Sequence, residues 1–184
     1  MITYMIACML HLSISSNPNV RNSLIELLEG CHTLQPIGEI IDILHKEGMY
    51  ESLPLQWPVK GKCRISSHYG YRNHPLTGTK KFHSGVDIAV ELATPVYAAG
   101  SGNVIYAGRK GGYGRCIIIQ HQFGFTSIYG HLSAYYTTAG REIKQGQAIG
   151  FVGSTGQSTG NHLHFEIRKN KRAINPIWYD GHER

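Results

Sequence analysis

From Pro54 to the C-terminus the chain never sustains a helical period. Apolar residues come instead in short runs, alternating with polar ones or continuous, and glycine separates the runs. Runs of this length supply faces for strands and are too short for the long amphipathic stripe of a helical bundle. Candidate strands lie at 85–90, 95–99, 103–107, 115–121, 125–129, 148–152 and 162–168. The 22 glycines in 184 residues agree with many tight turns. A mainly β, antiparallel body is therefore expected, as two sheets or a partly closed barrel-like sandwich.

Upstream the pattern changes. Asn17-Pro18 followed by Val20, Leu24, Leu27 and Leu28 reads as a capped amphipathic helix ending at Gly30. A second helix is expected over 36–46, with Ile37, Ile40, Ile41 and Leu44 on one face and Gly48 just beyond its end. Two such helices are too short to fold alone, so residues 1–54 are read as a helical N-terminal extension packed on a domain of 55–184. Residues 1–14 are apolar like a signal peptide but lack its positive n-region, and His11 interrupts the apolar run, so no export signal is established. No run approaches the roughly 20 apolar residues of a transmembrane span.

The formal charge of +6 favours anionic polymers such as nucleic acid or cell-wall glycan without choosing between them. Lys169, Lys171 and Arg172 make only a short basic cluster with no interleaved aromatics, so nucleic-acid binding is not expected. The four cysteines, Cys8, Cys31, Cys63 and Cys116, form no CxxC pair and hence no zinc ribbon or redox motif. Cys116 lies in an apolar run and reads as a buried thiol.

Histidine carries the chemistry, with 11 in the chain. In His162-Leu163-His164-Phe165-Glu166-Ile167 a strand places His162, His164 and Glu166 on one face and Leu163, Phe165 and Ile167 on the other. In His83-Ser84-Gly85-Val86-Asp87 the His and Asp stand four apart, on one side of either a helix or a strand, and Gly85 permits close backbone approach. Two imidazoles and a carboxylate suit Zn²⁺, and three protein ligands leave a fourth position for water.

Four ordered motifs, Ser67-His68-Tyr69-Gly70-Tyr71-Arg72, His83 to Asp87, Tyr129-Gly130-His131-Leu132-Ser133, and Gly153-Ser154-Thr155-Gly156 through His162 to Glu166, make the chain resemble the lysostaphin-like zinc endopeptidases, also called M23 or LytM peptidases. The likeness spans Leu55 to Trp178. It implies an antiparallel β-sheet groove, one Zn²⁺ per chain held by His83, Asp87 and His164, and cleavage of peptides in bacterial peptidoglycan. It implies work in the cell envelope or outside the cell, and it assigns His131 and His162 to catalysis rather than to the metal. No HExxH glutamate is present to act as base, so one of these two imidazoles takes a proton while the other donates to the developing oxyanion, in an order left open.

Asn161 and Ala93 depart from the family pattern, standing where a proline and a glycine are frequent. The family's glycyl-bridge cutters carry a tyrosine shortly before the first ligand, and 77–82 contains none, which points to D-amino-acid cross-links instead. Glu166 has two readings, orienting an imidazole or forming a surface salt bridge. Arg72 is a candidate for binding a substrate carboxylate. His121 reads as a structural histidine at a strand end. The rival to an enzyme is a non-catalytic wall-binding or amidase-activating module on the same fold, which the presence of all five candidate histidine and aspartate groups disfavours.

Overall fold

The structure, a computed structural model, describes residues 18–73 and 79–177. The expectations for residues 1–14, including Cys8 and His11, lie outside these residues. Helix α1 (Pro18–Gly30) opens on a proline, whose missing N–H is harmless in a first turn, and buries Leu24 and Leu28 one turn apart. The helix expected over 36–46 is two pieces, α2 (Gln35–Gly38) and α3 (Ile41–Lys46). Between them Ile40 leaves helical geometry at φ −117°, ψ 14°. Ile37, Ile40, Ile43 and Leu44 are all buried across the break, while Ile41, expected on the same face, is only half-buried.

Seven strands form the path of the main antiparallel sheet, in the order β1 (Arg64–Ser67), β4 (Val86–Ala89), β12 (His162–Lys169), β8 (Phe125–Leu132), β7 (Arg115–Gln120), β6 (Gly102–Arg109) and β10 (Glu142–Ile143). Strand β13 (Arg172–Ile174) pairs with β12 off this path. Strands β5 (Pro95–Tyr97), β11 (Ala148–Phe151) and β9 (Ala134–Tyr135) make a small second sheet, and β2 (Gly70–Asn73) pairs with β3 (Lys80–His83) as a separate hairpin. The main sheet stays open, with β1 and β10 at its edges. Every expected strand is present; β1, β2, β3, β9, β10 and β13 lie outside the expected ranges, because they are too short or too polar to carry an apolar alternation.

One face of the main sheet is apolar. Val86, Ile88, Leu163, Phe165, Ile167, Ile117, Ile119 and Tyr129 are all at or near zero exposure. The same contiguous cluster includes Leu24, Leu28, Ile37 and Leu44 from the helices. Lys169, buried at the end of β12, donates from Nζ to the carbonyls of Leu28 and Phe123, tying α1 to the sheet. The α1 carbonyl and the ammonium satisfy one another at a helix C-terminus. Cys31, Cys63 and Cys116 are free thiols.

Candidate metal centre

The other face of the sheet carries the polar residues. Antiparallel pairing of β12 with β4 sets His164 directly opposite Asp87, and pairing with β8 sets it opposite Gly130. A side chain at Gly130 would crowd the His164 and Tyr113 rings, so glycine leaves room for the imidazole. His83 ends β3, in the hairpin rather than in the main sheet, and the Ser84-Gly85 link brings it over Asp87. A Cβ at Gly85 would collide with the Phe165 carbonyl, so this link needs glycine for close approach. The spacing of four thus works across a bend at Gly85 between two successive strands, not through one face of a single element.

Three ligand-type atoms converge. His83 Nε2 lies 3.1 Å from Asp87 Oδ1 and 3.1 Å from His164 Nδ1, and His164 Nδ1 lies 2.8 Å from Asp87 Oδ1. The outer nitrogens settle the tautomers. His83 Nδ1 donates to the His68 carbonyl at 2.9 Å, and His164 Nε2 donates to Glu166 Oε1 at 2.9 Å. In these neutral tautomers two imidazole lone pairs and a carboxylate oxygen face one another, which repels unless a cation stands between them. Separations near 3 Å match the edges of a tetrahedron with bonds of about 2 Å, so the three residues fit a Zn²⁺-sized ion.

Electrostatics reinforce the cluster. Burial raises the Asp87 carboxyl, but hydrogen bonds from His164 and His83 outweigh this and hold it far below the usual carboxylate range. Burial opposes a charged His164, yet Asp87 and Glu166 on either side together push it up to about 9, so a proton sits on Nδ1 wherever no cation takes its place. Glu166 is fully buried and is no surface salt bridge. It accepts from Ser84 Oγ at 2.5 Å, Tyr113 OH at 2.7 Å, His164 Nε2, and Arg168 Nε at 2.9 Å. Burial works against its charge, but these donors bring it down to about 2.

His131 and His162 stand beside the cluster. Their rings are 4.6 Å apart, and His131 is 5.7 Å from His164, centroid to centroid. His131, at φ 60°, occupies a left-handed conformation unusual for a non-glycine residue and of the kind that collects at functional sites. Its Nδ1 donates to the Thr155 carbonyl at 2.7 Å, and His162 Nδ1 donates to the Gly160 carbonyl at 2.9 Å, which leaves each Nε2 without a hydrogen bond among the described residues, that of His162 lying 3.7 Å from Asp87 Oδ1. Burial, with the neighbouring imidazoles helping and the Thr155 carbonyl opposing, brings His131 down to about 4. Arg72 Nη2 reaches Asp87 Oδ2 at 3.4 Å.

These groups line one groove of about 400 Å³, between the β2–β3 hairpin on one side and Gly112, Tyr113 and residues 157–159 on the other. Tyr113, Ser84 and Arg168 escaped the reading of the sequence, because single residues without metal-type spacing give no signal. His68 contributes its carbonyl rather than its ring, and His121 is buried away from the groove between the Ser101 carbonyl and Ser127 Oγ.

The profile described as Peptidase family M23 matches residues 81–176. The chain belongs to peptidase family M23. The M23 chain is 44% identical over 135 residues to the DD-carboxypeptidase/endopeptidase Mpg of Neisseria meningitidis, across 73% of this chain and 30% of that protein. It is 37% identical over 148 residues to the peptidoglycan DD-endopeptidase ShyA of Vibrio cholerae, across 76% and 34%. The chain therefore spans only about a third of the length of these curated relatives. Among solved structures it resembles a zinc containing peptidase from Vibrio cholerae, with a TM-score of 0.63 and 34% identity over 67% of this chain and 39% of that one.

Proposed function

We propose that this M23 protein is a zinc-dependent endopeptidase that hydrolyses peptide cross-links of bacterial peptidoglycan, at bonds involving D-amino acids. The observation that carries the reading is the meeting of three cation-ready atoms and two singly free imidazoles at the head of one groove. The printed names of its relatives support the substrate class. Such a substrate lies in the cell envelope, so the protein works there or outside the cell. In this reading residues 55–184 are the working domain and 1–54 an extension, consistent with a groove lined, among the described residues, by none before Arg72.

His83, Asp87 and His164 would hold the zinc through the three converging atoms. When bound, zinc supplies a Lewis acid that makes a water acidic near neutral pH and polarises a carbonyl. The rest of the chemistry belongs to the chain. His131 and His162 each offer a single Nε2, one to take a proton from the attacking water and the other to donate to the developing oxyanion. The carbonyls of Thr155 and Gly160 hold the proton on each Nδ1 and turn the Nε2 lone pair to the groove, so the accepting ring is ready as it stands and the donating ring acts as an imidazolium with a second proton on Nε2. Arg72 is the candidate contact for a substrate carboxylate.

Elemental analysis beside turnover of cross-linked muropeptides tests the assignment. His83→Ala and His164→Ala should lose zinc and activity together. His131→Ala and His162→Ala should keep the metal and lose about 10²-fold or more in kcat, and the double variant should be little worse than the poorer single one. Full zinc retention by both ligand variants would overturn the metal assignment, and undiminished turnover without either His131 or His162 would overturn the proton-transfer roles.

A further inference from the structure

The β2–β3 hairpin pairs Arg72 directly with Lys81. Both side chains line the groove, on the same strand face as His83. Like charges set opposite one another across a sheet repel, and a fold keeps such a pair where something anionic comes between. Nothing among the described residues fills that role fully. Arg72 has only the long 3.4 Å contact to Asp87 Oδ2, from a carboxylate whose other oxygen belongs to the metal cluster. The Arg72 Nε is shielded from solvent and has no hydrogen-bond partner among the described residues. No ion pair among the described residues includes Lys81. Glu166, the other acid of the groove, has its oxygens committed to Ser84, Tyr113, His164 and Arg168.

The geometry points to a carboxylate subsite formed by Arg72 and Lys81, which selects substrates bearing a free α-carboxylate on the leaving side of the scissile amide. This rests on the hydrolytic reading above and narrows its substrate class. Because Arg72 touches Asp87, the bound carboxylate lies close to the metal cluster, within about one amino acid of the bond cut. Two substrate types present that chemistry. One is a peptide ending in a single amino acid beyond the scissile bond. The other is a cross-link made through the side-chain amine of a diamino acid, whose own α-carboxylate stays free. The opposite wall, Tyr113, Gln157, Ser158 and Thr159, is uncharged and leaves the hairpin side to decide where the acid goes. A guanidinium matches a carboxylate in two parallel hydrogen bonds, and Lys81 adds a point charge beside it.

The test compares, on the zinc-loaded full chain, stem peptides of both types as free acids and as the corresponding α-amides. The acid of at least one type should be cleaved with a kcat/KM about 10- to 100-fold above its amide, and the type showing the larger ratio identifies the source of the carboxylate. Lys81→Ala should keep its zinc and shrink the ratio to below about threefold, mainly through KM. Arg72→Gln should do the same, and Arg72→Lys should restore less than the parent ratio. Equal cleavage of acid and amide by the parent chain overturns the subsite while sparing the hydrolytic reading. So does a full preference surviving in both Lys81→Ala and Arg72→Gln, which would place the carboxylate on zinc alone. If no peptide is cleaved, the hydrolytic reading fails, and calorimetric binding decides the subsite separately: parent chain binding acid and amide equally, or neither, overturns it.

Discussion

Around His164, one buried carboxylate determines what the imidazole offers. Glu166 Oε1 accepts a hydrogen bond from Nε2–H, so the neutral His164 presents its Nδ1 lone pair towards Asp87 and His83. A carboxylate behind a metal-binding histidine sets its tautomer and raises its basicity. Glu166→Gln keeps the shape and removes the charge, so zinc affinity measured by chelator competition should fall about 10- to 100-fold. An affinity within threefold of the parent would show that the carboxylate only fills space. Of this arrangement the sequence shows the shared face of His162, His164 and Glu166, because strand alternation is local. It hides Ser84, Tyr113 and Arg168, which reach Glu166 from separate elements and have no spacing of their own.

Among the elements, the turn before β5 departs from the family at one position that the backbone explains. Ala93 sits at φ 63°, where a glycine is frequent in the family and where a Cβ is strained. Its N–H donates to the Val152 carbonyl, which holds the turn in that conformation. Ala93→Gly should raise stability by about 0.5–1 kcal/mol, a rise of about 2 °C in Tm by calorimetry. An unchanged or lowered Tm would mean the turn relaxes at no cost with alanine. At the same scale the amphipathic pattern over 36–46 misleads, because periodicity marks which residues are apolar and not whether the helix between them stays straight. Ile37, Ile40, Ile43 and Leu44 share one core although the helix breaks at Ile40, a break the apolar spacing does not signal.

For the whole molecule, two properties follow from how the parts close on one another. The helices share the core of the sheet and cap Lys169, so removing residues 1–52 should lower Tm sharply and expose apolar surface to dye binding, without opening the groove. A stable truncation with faster turnover would instead make the extension a restraint on the site. Second, burial brings His121 down from 6.5 to about 4, despite the Ser101 carbonyl. A histidine depressed in the fold stays neutral there while the unfolded chain takes up its proton. Its contribution is therefore complete above about pH 6.5 and is lost as pH falls from 6.5 towards 4, by up to about 3 kcal/mol. Denaturant melts across pH 4–7 should show this slope, and His121→Gln should flatten it; an identical slope in that variant would assign the loss to other groups. The sequence by itself determined the mainly β body, most strands and the five candidate histidine and aspartate groups, since strand period and ligand type are properties of short segments. Tertiary structure alone decided that the spacing of four in His83 to Asp87 spans a bend between two strands of different sheets, that β4 and β12 bring Asp87 against His164, and that Arg72 faces Lys81. Those meetings depend on register between strands up to about 80 residues apart, and no local pattern encodes register.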